Sequence, residues 1–406
     1  MIRVEAQQAA GPDGRQPAAI GVTSKGDGVL FELPEPYLAL RAEARALADS
    51  VRDRAAEADE RDDVDPHMRA ALAGSGLVAL TVPGEYGGRA ERVDSLAVTV
   101  VREQFAATSA HLDSLFVMQG IGSHAIGVGG SPAVQRRWLG PIGRLDAIAA
   151  LGLTEPDVGS DLRAITTTLT RDGGELVVEG RKSFITNAGD ADLYTVLARD
   201  GDGYSLVAVP ARTPGVTVER PHQIIAPHVL GDVVLDRVRV PADHLVGTAG
   251  KGFRPVLDTL ATFRVSVAGA AVGLAEAALR EAVRHTAGRE QFGTPLARLG
   301  PVPAMLATCW TEIEMARALT YRAAAAAARD PREGLHLSSM AKVGATEAAG
   351  RVVDRCVQVM GRFGLVRGSA IERLYREARP MRVYEGSTEV LLDSLAKQLI
   401  RRYTEV

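Results

Sequence analysis

The segment Tyr384-Glu-Gly-Ser-Thr-Glu389 carries two carboxylates and two hydroxyls at the start of a stretch with helical periodicity. A serine just before a helix is typically an N-cap, because its side chain accepts a hydrogen bond from a free backbone N–H of the first turn. Capping explains Ser387, and a place in the first helical turn explains Glu389. It explains Glu385 poorly, so this carboxylate needs another explanation.

Three other clusters combine groups that bind anions or aromatic rings. Arg289-Glu-Gln-Phe-Gly293 supplies a guanidinium, which pairs with phosphate through two parallel hydrogen bonds, although a helix end at the surface explains it equally well. Residues 153–161 carry hydroxyls and a glycine that could wrap an anion or a flavin ring, but taken alone they are better explained as an ordinary turn. Phe184-Ile-Thr-Asn-Ala188 places a ring, a hydroxyl and an amide at a strand end, where edge packing is an equal explanation.

Several catalytic and binding motifs are absent from the sequence. No Gly-x-Gly-x-x-Gly follows a predicted strand, so a Rossmann dinucleotide site is not indicated. Gly247-Thr-Ala-Gly-Lys-Gly252 lacks the residue order of a phosphate-binding loop, and no Gly-x-Ser-x-Gly motif is present. His222 and His228 flank a proline at a spacing that suits metal ligation poorly, and there is no Cys-x-x-Cys pair. We therefore expect no metal site.

Composition and charge narrow the class of protein. The chain has 406 residues, 46% apolar and 24% charged, which suits a soluble protein of two or three domains. The chain has 47 basic and 50 acidic residues, so its net charge is only −3 and we expect no nucleic-acid partner. The N-terminus has no apolar secretory core, and no segment reaches the roughly 18–20 uninterrupted apolar residues of a membrane span. The two cysteines, Cys309 and Cys356, are too few for a disulfide framework, which fits a reducing compartment. The sequence therefore predicts a cytoplasmic protein without membrane association.

The periodicity of apolar residues divides the chain into helices, then strands, then helices again. Residues 1–33 lack it and are predicted to form a flexible N-terminal extension. Residues 34–147 show the three- and four-residue apolar steps of an α-helical domain, and residues 148–246 hold short alternating runs with hairpin signals that predict a β domain. Residues 247–406 return to long helical segments. Within them, an Ala/Gly-rich run at 265–275 predicts a buried helix.

Taken together and in order, eight motifs make the chain resemble the acyl-CoA dehydrogenase family from about Pro34 to Arg401. They are Pro-Gly-Glu-Tyr-Gly-Gly at 83–88, Leu-Thr-Glu-Pro-Asp-Val-Gly-Ser-Asp at 153–161, Gly-Arg-Lys-Ser-Phe-Ile-Thr-Asn-Ala at 180–188, Val-Leu-Asp-Arg-Val-Arg-Val-Pro at 234–241, Arg-Glu-Gln-Phe-Gly-Thr-Pro-Leu at 289–296, Gln-Val-Met-Gly-Arg-Phe-Gly at 358–364, Glu-Arg-Leu-Tyr-Arg-Glu-Ala-Arg at 372–379 and Tyr-Glu-Gly-Ser-Thr-Glu at 384–389. The resemblance implies a mainly α fold with a central β module. Its parts would be an α-helical N-terminal domain, a small β-barrel and a C-terminal four-helix bundle.

The resemblance also implies an FAD site between the β module and the C-terminal bundle, completed by a neighbouring subunit. Phe184 would stack on the isoalloxazine ring and Thr186 would hydrogen-bond near its N5 atom. The pyrophosphate and adenine half would meet the Arg289 segment from one subunit and the 358–364 segment from the other. The implied cofactor-binding residues are Leu153, Thr154, Ser160, Phe184, Thr186, Arg289, Phe292, Gln358, Gly361, Gly364, Ser387 and Glu389.

The implied reaction is α,β-dehydrogenation of an acyl thioester carried by CoA or by an acyl-carrier protein. Glu385 matches the base that removes the α-proton, while flavin N5 takes the β-hydride. A minority of relatives place the base on an earlier helix, just before an arginine. That place is occupied here by Phe263, before Arg264, which leaves Glu385 as the candidate. The implied substrate contacts are Ser160, Arg264 and Gly386.

The family also implies partners and leaves alternatives. The electron acceptor would be an electron-transfer flavoprotein, and the assembly a homo-oligomer, a dimer of dimers. The alternatives are a flavin-dependent monooxygenase on the same fold, which usually lacks the base, and a non-catalytic member. The sequence departs from the family at Gly300 and Pro303, where two glutamines are usual, and at Arg362, where a second glycine is usual.

Overall fold

The computed structural model describes residues 33–404. The predicted N-terminal extension, residues 1–33, lies outside this range except for Leu33, which packs on the apolar core of the C-terminal helices. The N-terminal part is helical, as the apolar periodicity predicts. Its helices are α1 (Glu35–Ser50), α2 (Arg52–Ala58), α3 (Pro66–Ser75), α4 (Ser95–Ala106), α5 (Ala110–Gly129) and α6 (Pro132–Gly143).

Polar side chains fix where the helices nearest the site begin. The Asp94 carboxylate accepts hydrogen bonds from the backbone N–H groups of Leu96 and Ala97 at the start of α4. The Ser109 hydroxyl accepts from the N–H of Leu112 at the start of α5. These caps satisfy donors that have no partner inside a helix, so the first turns of α4 and α5 are well defined.

The middle of the chain forms one sheet, whose strands run in the order β6-β7-β3-β2-β4-β5-β8, with β1 paired to β4. Tight turns join β2 to β3 and β4 to β5, which confirms that the hairpin signals within residues 148–246 mark hairpins. The strands are β1 (Ala149–Gly152), β2 (Thr168–Asp172), β3 (Glu175–Thr186), β4 (Leu193–Asp200), β5 (Gly203–Pro210), β6 (Val216–Glu219), β7 (Leu230–Pro241) and β8 (Leu245–Val246).

Long helices return after the sheet. Helices α7, α8 and α9 pack against one another in pairs, and α11 packs against α9. The sequence did not predict α10 as a separate helix; it packs against α7 and α9. The elements are α7 (Phe253–Gly288), a two-strand hairpin of β9 (Glu290–Gln291) and β10 (Thr294–Pro295), α8 (Val302–Arg329), α9 (Leu335–Met360), α10 (Ala370–Ala378) and α11 (Thr388–Thr404).

Helix α7 is the core helix of this bundle. Among the described residues it is the one helix long and apolar enough to cross a membrane, but 83% of its most apolar stretch is buried inside the protein. This confirms the buried helix predicted for residues 265–275. Helix α4 contributes Leu96 and Val100 to the same apolar cluster, whereas α5 contributes Leu112 and Phe116 to a cluster shared with the sheet. Helices α4 and α5 therefore connect the bundle to the β module.

Glycines allow α7 to lie directly on α4. A Cβ added at Gly273 would stand 1.9 Å from the backbone oxygen of Glu103, and one at Gly269 would stand 2.7 Å from the backbone oxygen of Thr99. Real Cβ atoms do not approach other atoms so closely, so a side chain at either position would force the two helices apart.

We therefore expect Gly273→Ala to destabilise the protein by about 1–3 kcal/mol, the usual range for overpacking a close-packed interface. Gly344→Ala is the matched control, because that exposed glycine of α9 has only an ordinary contact, 3.7 Å from Leu319. At position 344, the higher helix propensity of alanine should leave the free energy of unfolding unchanged or raise it by up to ~1 kcal/mol. Thermal unfolding followed by circular dichroism measures both. Equal melting temperatures for the two variants would contradict the close α4–α7 contact.

Candidate active site

Glu385 lies in a short loop that precedes α11, and the backbone there is strained. Its φ is +53° and that of Gly386 is +99°, both in the left-handed region that non-glycine residues rarely adopt. The Oε2 atom of Glu385 is shielded from solvent and has no hydrogen-bond partner in the described part of the chain, although the residue as a whole is partly exposed. A strained residue with an unpartnered, shielded carboxylate oxygen is typical of functional sites.

Two basic side chains hold this loop by its backbone. The Arg264 guanidinium on α7 donates to the carbonyl oxygen of Glu385 (3.3 Å) and to the hydroxyl of Ser339 (3.3 Å). The Lys342 ammonium on α9 donates to the carbonyl oxygen of Gly386 (2.7 Å). Both cations bind peptide oxygens and leave the carboxylate of Glu385 free.

A third cation, Arg102 on α4, completes the surroundings. Its guanidinium makes two parallel hydrogen bonds to Asp113 on α5, at 2.8 and 2.6 Å, and a third to the hydroxyl of Ser266 on α7, at 3.0 Å. Both members of the ion pair are almost fully buried. Arg102 lies close enough to Glu385 for the two charges to interact.

Burial and neighbouring charges shift the pKa values of Glu385 and Lys342 in opposite directions. Burial raises the pKa of Glu385, because a carboxylate loses hydration there, and the charges of Arg102, Arg264 and Lys342 partly offset the rise. Burial also lowers the pKa of Lys342, to about 8, although the nearby Glu385 acts against it. The result is a carboxylate with a raised proton affinity inside a positively charged setting.

The second part of the site lies at the end of β3. The pairing of β3 with β7 shifts register between Lys182 and Ile185, which is a β-bulge. Within it Phe184 has a φ of +56°, and its ring is 48% exposed and stacked on His222, with ring centroids 4.8 Å apart. The hydroxyl of Thr186, two residues on, lies 3.2 Å from Nε2 of His228. The bulge therefore turns an aromatic ring outward just before a hydroxyl.

The predicted flavin-facing loop is held against this strand. The backbone oxygen of Leu153 accepts from the ammonium of Lys182 (3.1 Å), and that of Thr154 accepts from the N–H of Ser183 (2.9 Å). Ser160, at the far end of the loop, is exposed. The structure thus places Leu153 and Thr154 against Lys182 and Ser183, the residues that precede Phe184 on β3; that all four predicted residues bind one cofactor stays a prediction.

A buried ion pair supports that loop from inside. The carboxylate of Glu155 lies 2.8 Å from the ammonium of Lys182, and both side chains are almost fully buried. It also accepts from the N–H groups of Thr166 (2.6 Å) and Thr167 (2.9 Å). Burial alone would raise the pKa of Glu155, but the hydrogen bonds from Lys182, Thr167 and Thr166 outweigh it and hold the pKa at about 2.

The Arg289 segment and the 358–364 segment meet within a single chain. The guanidiniums of Arg289 and Arg362 lie over the ring of Phe363, 4.8 and 5.2 Å from its centre. The two segments therefore lie side by side in one chain, and the expectation that a neighbouring subunit completes the FAD site stays a prediction. In the part of the chain that the structure describes, neither arginine forms an ion pair with a carboxylate, so both are free to bind an anion.

The remaining predicted cofactor-binding residues lie on the β9–β10 hairpin, around the end of α9 and at the start of α11. Phe292 is 97% exposed at the tip of the β9–β10 hairpin, and Gln358 is exposed at the end of α9. Packing favours glycine at position 364, because a Cβ there would stand 2.5 Å from the backbone oxygen of Val357. At position 361 the backbone angle favours glycine, since its φ is +58°. At the start of α11, the hydroxyl of Ser387 accepts from the N–H of Val390 (3.4 Å), which is the capping role considered for it, and Glu389 is exposed in the first turn.

Sequence reasoning missed several charged or polar residues of the site: Arg102, Asp113, Glu155, Lys182, His228 and Lys342. One signal was available for Arg102 and Lys342. Each is a cation inside an otherwise apolar or alanine-rich helical segment, where a buried charge needs a specific partner.

Comparison with known proteins agrees with this geometry. Family models for the N-terminal, middle and C-terminal domains of acyl-CoA dehydrogenases match residues 34–146, 150–238 and 250–400. The chain is 34% identical over 378 residues to cyclohex-1-ene-1-carbonyl-CoA dehydrogenase of Syntrophus aciditrophicus, covering 91% of each chain.

Solved structures show the same fold. A glutaryl-CoA dehydrogenase from Mycobacterium smegmatis in complex with FADH2 has a TM-score of 0.84 and 26% identity, with 90% of this chain and 95% of that one covered. A chain of the structure described as the electron transferring flavoprotein of Acidaminococcus fermentans has a TM-score of 0.86 and 28% identity, with 91% and 99% covered.

The family models and the FADH2-bound neighbour identify this α–β–α fold as that of a flavoprotein oxidoreductase. More specifically, this chain belongs to the acyl-CoA dehydrogenase family, whose members oxidise CH–CH bonds of acyl-CoA thioesters.

The Glu155–Lys182 pair generates a prediction for stability. Glu155→Gln leaves Lys182 buried without its counter-charge, which costs on the order of 3–5 kcal/mol. Glu179→Gln is the control, because Glu179 is an exposed carboxylate on β3, the strand that carries Lys182. This substitution should leave the melting temperature unchanged.

The pH dependence of the same pair has a definite sign. The folded-state pKa of Glu155, about 2, lies below its ordinary value of 4.5, so the carboxylate contributes stability above about pH 4.5 that is lost as the pH falls toward 2. Glu155→Gln cannot titrate and should show a shallower loss over this window. Parallel stability profiles for wild type and variant, measured by thermal unfolding, would contradict the assignment.

Proposed function

We propose that this protein catalyses FAD-dependent α,β-dehydrogenation of an acyl-CoA thioester, with Glu385 as the base. The observation that carries the proposal is the Glu385 carboxylate: within residues 33–404 one of its oxygens is shielded from water and has no hydrogen-bond partner, and three cations act on it through their charge. A general base needs a carboxylate that is free to take a proton and a pKa raised toward the working pH. A carboxylate with a structural role would instead be paired.

The surrounding residues suit proton removal beside a carbonyl. Arg264 and Lys342 bind the peptide oxygens on either side of the Gly386 nitrogen and fix the strained loop that aims Glu385. Their charges, with that of Arg102, favour the negative charge that develops when an α-proton leaves a thioester. Ser160, Arg264 and Gly386 remain our candidates for substrate contacts.

The alternative base position is closed by packing. Phe263 is buried, and a Cβ added at Gly120 would stand 2.3 Å from its ring. The same ring meets His124 edge to face, with centroids 5.6 Å apart. Phe263 is thus a core residue, which supports Glu385 as the sole base.

The residues present fit FAD. Phe184 offers an exposed aromatic face and Thr186 a hydroxyl, while Arg289 and Arg362, which pair with no carboxylate among the described residues, offer two cations for a pyrophosphate. When bound, FAD supplies the acceptor for the hydride that leaves the β-carbon. The residues that would hold it are Leu153, Thr154, Ser160, Phe184, Thr186, Arg289, Phe292, Gln358, Gly361, Gly364, Ser387 and Glu389.

The proposal extends to partners and location. Helix α11 exposes Leu392, Leu399, Ile400 and Tyr403, and the hairpin exposes Phe292, which supports a homo-oligomer, a dimer of dimers, as the state that covers them. An electron-transfer flavoprotein is the proposed electron acceptor. A cytoplasmic location fits the two buried cysteines, which are free thiols. An acyl-carrier protein in place of CoA stays the alternative carrier.

Glu385→Gln tests the reaction. It keeps the size and the backbone of the residue but removes the base, so we expect an unchanged flavin spectrum and flavin reduction by an acyl-CoA substrate slowed by ~10² or more. Exchange of the substrate α-proton with solvent deuterium should disappear with it. Asp393→Asn, an exposed carboxylate on α11, is the control. Reduction of the flavin at the wild-type rate in stopped-flow absorbance would refute the proposed mechanism.

Arg289→Ala tests the cofactor site. A charge-assisted hydrogen bond to phosphate contributes on the order of 1.5–3 kcal/mol, so the dissociation constant for FAD should rise roughly tenfold to hundredfold. Arg298→Ala, a nearby exposed arginine, should leave it unchanged. Titration of FAD into the unloaded protein measures both, and sedimentation shows whether the oligomer persists. Equal affinities would mean that Arg289 is an ordinary surface residue.

A further inference from the structure

His228 lies beside the hydroxyl of Thr186 and has no assigned role. Its Nε2 atom is 3.2 Å from Oγ1 of Thr186 and 3.4 Å from Oγ of Ser114 on α5. The two hydroxyls thus share one ring nitrogen. Thr186 ends β3, whereas His228 stands two residues before β7, the strand paired with β3.

The surroundings keep the histidine uncharged and in place. A small internal hollow borders its ring and is also lined by His111, Leu115 and Val229. Burial, helped by the nearby His111, lowers the pKa of His228 to about 4. A neutral imidazole has one nitrogen that donates and one that accepts. At neutral pH the contact with Thr186 is therefore an ordinary hydrogen bond of a neutral ring, whose direction depends on which ring nitrogen carries the proton.

The strand end around Thr186 is anchored on both sides of this contact. The N–H of Asn187 donates to the backbone oxygen of Val229 (2.8 Å), and the side-chain amide of Asn187 donates to the backbone oxygen of Ala149 (3.1 Å). The backbone is thus fixed independently of His228. What remains for His228 to determine is the direction of the Thr186 O–H bond, since a hydroxyl rotates to suit its partners.

We propose that His228 is a positioning residue that fixes the Thr186 hydroxyl in the orientation needed to hydrogen-bond the flavin. The inference rests on the proposed function, because it takes Thr186 to face the flavin. His228 itself touches neither substrate nor flavin in this proposal. It acts through the one proton of the Thr186 hydroxyl: its own hydrogen bond determines where that proton and the free lone pairs point.

A double-mutant cycle on the FAD-loaded protein tests the proposal. His228→Leu and Thr186→Val should each shift the flavin reduction potential in the same direction and slow flavin reduction about three- to tenfold, the effect of losing one ordinary hydrogen bond. The double variant should behave like Thr186→Val alone, because a residue that acts only through Thr186 has no effect without it. Ser114→Ala, which removes the other hydroxyl from the ring, is the control and should keep the wild-type potential.

The outcomes separate this inference from the proposed function. A wild-type protein that binds no flavin overturns both. A wild-type flavoprotein whose potential is unchanged by His228→Leu, or additive effects of the two single variants, overturns the inference alone. Should His228→Leu fail to fold, nitrogen-15 NMR of histidine-labelled wild type decides: the Nε2 resonance of His228 should shift when the flavin is reduced, and a constant resonance overturns the proposal.

Discussion

The buried ion pair of Arg102 and Asp113 is the interaction on which the site depends. It joins α4 to α5, and through Ser266 it joins both to α7, the core helix of the bundle. Two charges removed from water are costly unless they are paired and fully hydrogen-bonded, and this pair makes three hydrogen bonds in its buried setting. The same arginine supplies positive potential to Glu385. A single pair therefore joins three helices and supplies one of the three positive charges that act on the proposed base.

The Glu385 carboxylate can serve as the proposed base because the nearby cations bind the backbone of its loop and not the carboxylate itself. A carboxylate that accepted hydrogen bonds from Arg264 or Lys342 would have its pKa pulled down and would be a weak base. Here those hydrogen bonds go to the peptide oxygens of Glu385 and Gly386. The cations hold the loop and act on the carboxylate only through space, so burial still prevails and raises its pKa.

Much of the fold follows from local patterns, whereas the supporting shell of the site does not. Apolar periodicity was sufficient for α7 to α9 and for both hairpins, because each is specified by its own sequence. The resemblance placed residues 153–154 and the end of β3 in one site, and the structure brings Leu153 and Thr154 against Lys182 and Ser183 of that strand. The β-bulge that turns Phe184 outward, and the roles of Arg102, Lys342 and His228, depend on contacts between segments far apart in sequence. A lone cation in an apolar helix signals that Arg102 and Lys342 need partners, but single-sequence patterns do not say which partners, and they give no signal for a lone histidine near a proline.

Consecutive residues of α5 explain how the two parts of the site are kept in register. Asp113 binds Arg102 beside the base, and Ser114 approaches His228 beside Thr186. Because residues one apart on a helix point in directions about 100° apart, one turn of α5 can contact the bundle side and the sheet side at once. The capped start of α5 makes that turn rigid. Helix α5 thus contacts residues of both parts of the proposed site, which is why the N-terminal helices contribute to its geometry although the proposed base and the predicted flavin contacts lie on other elements.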